Sequence, residues 1–188
     1  MRRLALSILL CLAPIAFARE GDPRIDNLGA VSAGGKVSVH FSLTGAFTRP
    51  QLLEGLQSGV PTAFTYVVEI FRDRPYWLDE GISRSRIEVI CTFNSVTREY
   101  LLNYRRDRRL IRSETFSDLA ALQQRMTTID ETGLFDVGDR KAYKLKVRVK
   151  ADLMRGWLLY VIPWEVSTRW RAVRVVAAAG QAAKAARR

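Results

Sequence analysis

The chain has 188 residues, 48% of them hydrophobic and 26% charged, with 30 Lys and Arg against 19 Asp and Glu for a formal net charge of +11. That is enough apolar material for one genuine core, and it excludes both a disulfide miniprotein and a disordered tail. One His and two Cys leave little of the usual material of catalysis or zinc binding.

The first eighteen residues read as a secretory signal. Arg2 and Arg3 form a basic start, Leu4 to Leu12 a short apolar run and Pro14 a break. Ala16, Phe17 and Ala18 then give the small, large, small pattern that signal peptidase accepts. Cleavage is expected before Arg19, with an uncleaved anchor as the alternative. The run falls far short of the roughly 20 apolar residues of a membrane span, and no later segment reaches that length without charge. Cys11 leaves with the signal, so Cys91 stands alone and the fold must hold without an internal disulfide.

Residues 19 to 35 are polar and glycine-rich, with a short edge strand expected around Ile25 to Val31. Val37, Val39, Phe41 and Leu43 then alternate with Lys36, Ser38, His40 and Ser42, the period-2 signature of a half-buried strand. Pro50 opens a short helix carrying Leu52, Leu53 and Leu56, with Gly59 as its stop. Phe64, Tyr66, Val68 and Ile70 define the next strand, whose second face is itself largely apolar, so it is expected to be central or covered. A polar loop interrupted by Tyr76, Trp77 and Leu78 follows. Ile87, Val89, Cys91 and Phe93 line another strand, which passes through a tight link at Asn94 and Ser95 into Thr97 to Tyr104 as a hairpin.

Arg105, Arg106, Asp107, Arg108 and Arg109 imply a further turn, after which Leu110 and Ile111 resume a strand. Ser117 is expected to cap a helix with Leu119, Leu122, Met126 and Ile129 on one stripe. Gly133 and Gly138 are expected to bracket a loop. Tyr143, Leu145, Val147, Val149 and Ala151 face inward on a strand whose outward face carries Lys144, Lys146, Arg148 and Lys150. A last strand spans Trp164 to Trp170, with Trp164, Val166, Thr168 and Trp170 on one face. Residues 171–188 read as a basic Ala/Arg-rich tail, holding Arg171, Arg174, Lys184, Arg187 and Arg188 with no acid. The tail is either a short amphipathic helix on a membrane surface or a flexible extension. The organisation is thus a signal at 1–18, one β-rich domain at 19–170 and the tail at 171–188. The fold expected is mainly β with two short helices, either β-sandwich-like or a curved antiparallel sheet of α+β type.

Little of this points to catalysis. His40 lies on a polar strand face with no acid placed to orient its ring, and Cys91 alternates in phase with core positions, where a thiol behaves as a small hydrophobe. Phosphate loops, nucleophile elbows and clustered N and S metal ligands are missing; Asp73, Asp79 and Glu80 share one loop and Asp130, Glu131, Asp136 and Asp139 another, neither with the spacing of a calcium loop, so no catalytic residue, cofactor or metal is assigned. The basic features are the candidates for binding. Arg105, Arg106, Arg108 and Arg109 crowd one turn, and Lys144, Lys146, Arg148 and Lys150 form a stripe with a repeat of about 6.6 Å. The stripe is dense enough to attract phosphate or anionic lipid, and both clusters are candidates for an anionic-partner surface. Interleaved aromatics are absent from the stripe face, and export makes nucleic acid an unexpected partner.

Several of these stretches together resemble a known family. Leu56, Gln57, Ser58, Gly59, Val60 and Pro61 lead into the Phe64 to Phe71 strand, followed by Arg72, Arg74, Trp77 and Asp79. Thr97, Arg98, Glu99 and Tyr100 come next, then Phe116 before a helix, Tyr143 before an alternating strand, and Trp164 and Trp170 near the end. The arrangement, over positions 35 to 170, is similar to the exported proteobacterial proteins grouped as domain of unknown function 4390. That resemblance implies export and a single small domain, encoded near a membrane sensor kinase and so with an envelope role, without a substrate or a catalytic residue. The function expected is a periplasmic, non-enzymatic binding or accessory module for an envelope or membrane protein or an anionic envelope component. The alternative is a hydrolase-like enzyme with an unrecognised carboxylate or serine site.

Overall fold

Alternation dictates the centre of the molecule. On β3 (Thr62–Arg72) the residues Phe64, Tyr66, Val68 and Ile70 are fully buried, and Val67 and Phe71 on the other face are buried as well. The strand is flanked on both sides, as a doubly apolar strand requires. The computed structural model describes residues 21–48, 50–74, 80–158 and 162–178. The first eighteen residues, read above as a signal, Tyr76, Trp77, Leu78, Asp79, the side chain of Trp164 and the tail from residue 179 onward lie outside the described residues.

Two sheets enclose one core. The larger runs β10 (Arg171–Arg174), β8 (Leu145–Leu158), β3, β4 (Glu80–Asn94), β5 (Glu99–Arg106) and β6 (Arg109–Phe116), with β9 (Ile162–Ser167) paired to β8. The smaller runs β11 (Val176–Ala177), β1 (Arg24–Ala33), β2 (Lys36–Thr44) and β7 (Thr128–Asp136). Every pairing is antiparallel except β1 with β11. The fold is therefore mainly β with two short helices, in a sandwich-like arrangement. Phe41 from the small sheet meets Tyr66 from the large one edge to face, ring centres 5.3 Å apart.

The helices close the gaps between the sheets. α1 (Pro50–Gln57) buries Leu52 and Leu56, and Gly59 follows it at φ 79°, the left-handed position that favours glycine after a helix. α2 (Leu119–Thr127) joins β6 of one sheet to β7 of the other and buries Leu122 and Met126. Its cap is Asp118 rather than Ser117: the Asp118 carboxylate accepts the Ala121 N–H at 2.8 Å, which places the cap three residues before that donor. Tyr66 donates its buried hydroxyl to the Met126 carbonyl at 2.7 Å, tying this helix end to β3.

Four sequence expectations change. The segment around Gly133 is strand β7, not a loop, and Ile129 belongs to it rather than to α2. Gly133, at φ 63°, forms a bulge whose N–H is taken by Ser38 Oγ at 3.0 Å, so the inward positions on either side are Glu131 and Phe135. Tyr143 and Lys144 fall in a 3-10 turn before β8, and Tyr143 is 65% exposed instead of inward. The edge strand expected at Ile25 to Val31 is longer, Arg24–Ala33, and β11 covers its outer side only at Val31 and Ser32. Finally, the domain does not end at Trp170. β10 pairs with β8, Val175 is buried in the core, and β11 then joins the opposite sheet. The apolar face of Val173 and Val175 finds a place in the sandwich, and the last strands close it.

Candidate binding surface

Cross-strand register decides what becomes of the basic stripe. Lys146, Arg148 and Lys150 do face outward on β8, but each lies beside an acid. Lys146 Nζ is 2.8 Å from Asp73, Arg148 donates from Nε to Glu69 at 2.7 Å, and Lys150 Nζ is 3.1 Å from Asp152. Glu69 stands opposite Arg148 on one side and Arg84 on the other, a charge ladder across three strands. Arg148 also lies between two rings, its guanidinium carbon 5.5 Å from the centre of Phe71 and 4.7 Å from that of Trp170. The sequence displays the cations at spacing two; Asp152 follows Lys150 at the same spacing on β8, while Glu69 comes from β3 and Asp73 from just beyond its end. Lys144 stands apart in its turn.

The β5–β6 hairpin behaves differently. Asp107 and Arg108 have φ of 50° and 69°, the left-handed pair that a two-residue hairpin turn needs. The turn is pinned sideways to β4: the Asp107 carboxylate accepts the Arg86 N–H at 2.8 Å and the Ser85 hydroxyl at 3.1 Å, and the Asp107 N–H donates to the Arg86 carbonyl at 2.8 Å. Asp107 thus spends its charge beneath the turn, which leaves Arg105, Arg108 and Arg109 exposed and without a carboxylate partner among the described residues. Beside them Leu110 is 59% exposed and Ile111 47%. Register shifts at this point, so these two apolar residues sit at a bulge on β6, the edge strand of its sheet.

Arg106 turns the other way. Arg106 Nη1 donates to Glu131 Oε2 at 2.8 Å, and the Tyr104 hydroxyl donates to Glu131 Oε1 at 2.7 Å. Glu131 is only 7% exposed and both its oxygens are engaged. Burial, reinforced by the hydrogen bond to Glu131, holds the Tyr104 phenol far above its ordinary range. Arg112 lies on the Tyr104 ring with its guanidinium carbon 4.1 Å from the centre. Glu114 accepts from Arg125 at 2.9 Å, and that hydrogen bond lowers the Glu114 carboxyl below its usual value and raises Arg125. The cluster fills the gap between β6, β7 and α2, so it braces the hairpin from inside. The sequence places Glu131 among the acids of a loop, because a strand carrying Asp, Glu, Thr and Gly reads as one; the signal for its inward position is the period-2 series Ile129, Glu131, Gly133, Phe135.

The remaining candidates are structural. His40 is exposed and stands opposite Gly29 and Asp130 in register. Its ring covers Gly29 so closely that a Cβ there would come within 2.2 Å of Cε1. Cys91 is fully buried, and burial pushes its thiol from 9.0 up to about 11. Among the described residues no group of three or more His, Cys, Asp or Glu comes together to hold a metal ion, and no helix is long and apolar enough to cross a membrane.

A family model described as a domain of unknown function, DUF4390, matches residues 21–173. No curated protein and no solved structure matches the chain.

Proposed function

Because the chain belongs to the DUF4390 family, whose description assigns no activity, we propose from the chemistry of its surface that it is a non-catalytic binding module acting after export. Its partner is an envelope protein that offers an extended acidic segment, received along β6. The observation that carries this reading is the coincidence of three features on one edge: Arg105, Arg108 and Arg109 without acids, Leu110 and Ile111 exposed, and a strand whose outer edge pairs with nothing among the described residues. An edge strand offers every second N–H and C=O to an incoming chain. Arginines and a bulge guard such an edge against a second basic edge, including that of another copy of this chain, but favour an acidic one. The internal brace at Glu131 supports the same reading, since a pre-ordered surface loses less entropy on binding. Export rests on Arg2, Arg3, the apolar run to Leu12 and the Ala16, Phe17, Ala18 step.

The test is a photo-reactive residue placed at Leu110, with a second one at Val96 on the β4–β5 hairpin as the control. A discrete adduct in intact cells from position 110 and not from position 96 is the expected result. Adducts of equal yield and pattern at both positions would contradict the reading.

A further inference from the structure

We propose that the loop between β7 and β8 forms a separate site for a phosphate-class anion, held by Arg140, Lys141 and Lys144 with Arg72 at its wall. These residues line a groove of about 530 Å³, whose floor includes the buried Leu145. Of the residues that line it four are cations and one, Asp139, is an acid. Lys146, one turn of pleat away, is paired to Asp73, whereas Lys141, Lys144 and Arg140 have no carboxylate partner among the described residues. Arg72 has only a 3.5 Å approach to Glu80, an acid that it shares with Arg74.

The loop is also built to hold its cations together. Val137 and Gly138 both donate their N–H groups to the Gly35 carbonyl, at 2.8 and 3.1 Å, and Gly138 also donates to Asp136 Oδ1 at 3.0 Å. The Lys144 N–H returns to the Lys141 carbonyl at 3.0 Å, and the Lys144 carbonyl accepts from the Asp73 N–H at 3.0 Å. Arg140 is anchored through Nη1 to the Val137 carbonyl at 3.2 Å. Lys141 Nζ and Lys144 Nζ each lie 6.0 Å from the centre of the exposed Tyr143 ring, one ring serving both. Like charges gathered on a fixed backbone repel one another, and a phosphate group relieves that repulsion, whether as the inorganic anion, near −2 with three free oxygens, or as a headgroup diester, −1 with two. The site lies beyond β3 and β4 from the β5–β6 hairpin, so it stands or falls independently of the acidic-segment reading.

The shared chemistry, a phosphate group, has two sources: free inorganic phosphate and a phospholipid headgroup. The exported chain is titrated with inorganic phosphate while the backbone amides are followed by NMR, and in parallel is sedimented with phosphatidylglycerol and with phosphatidylcholine vesicles. Saturable shifts confined to residues 138–144, or sedimentation with phosphatidylglycerol alone, are expected, and they are to be lost in Lys141→Gln/Lys144→Gln and kept in Lys146→Gln/Lys150→Gln. Phosphate saturation without vesicle binding assigns the free anion, and vesicle binding assigns the headgroup. Both variants replace exposed or half-exposed side chains, and circular dichroism checks their fold. Absence of both signals, or equal loss in the two double variants, would overturn the proposal.

Discussion

Tyr104 and Glu131 come from different sheets and meet inside the sandwich, where the phenol donates a 2.7 Å hydrogen bond to Oε1 of the carboxylate. Since Arg106 holds the other oxygen, Glu131 joins β7 to the base of the arginine hairpin. Glu131→Leu strands both donors and is expected to destabilise the fold by about 2–4 kcal/mol, while Glu131→Gln, which still accepts from Tyr104, costs about 1–2 kcal/mol. Urea unfolding of the two variants measures the difference, and equal stability to the unmodified protein would show that the brace is not one.

The last strands are expected to be necessary. Deleting residues 171–188 removes β10, the buried Val175 and β11, and burial of that one valine alone is worth about 1.5–3 kcal/mol. Cutting after Ala178 leaves all three in place. Thermal unfolding should therefore show a large loss for the first truncation and little for the second.

Cys91 gives the protein an alkaline sensitivity with a definite sign. The folded thiol is raised to about 11 from 9.0, so between these values the unfolded chain loses a proton that the folded one keeps. Stability is fully present below pH 9 and falls as pH rises toward 11. Cys91→Ala should lose about 1 kcal/mol of packing at pH 7 and flatten that part of the curve, read by denaturant midpoints across the pH range. Tyr104, raised in the same direction, continues the decline at higher pH.

At Gly29 a side chain meets the His40 ring. Gly29→Ala is expected to turn the exposed His40 ring aside at a cost below about 1 kcal/mol, and His40→Ala to remove that cost in the double variant. A double-mutant cycle with no coupling between the two positions would remove the ring from this role.

Much of this architecture was legible in the sequence wherever burial alternates cleanly. Val37 to Leu43, Phe64 to Ile70, Ile87 to Cys91 and Leu145 to Ala151 all lie on inner faces as their spacing requires. What failed was context that no single segment holds. β7 was hidden by an inward glutamate and a glycine bulge, and Val173 and Val175 were lost in an alanine- and arginine-rich stretch. Among the basic residues, spacing along β8 revealed which cations share a face, with Asp152 in step after Lys150, but not that Asp73 and Glu69 lie beside them. The arginine cluster at 105–109 was visible, yet its division was not: period 2 sends Arg106 inward to Glu131, and only the position of β7 supplies that acid.

The central claim is that binding belongs to the hairpin edge and not to the neutralised strand face. It is tested most directly by the yield of the Leu110 adduct in two triple variants, Arg105→Ser/Arg108→Ser/Arg109→Ser and Lys146→Ser/Arg148→Ser/Lys150→Ser, compared in the same envelope preparation. The account predicts that the adduct disappears in the first and persists in the second; persistence in the first with loss in the second would contradict it.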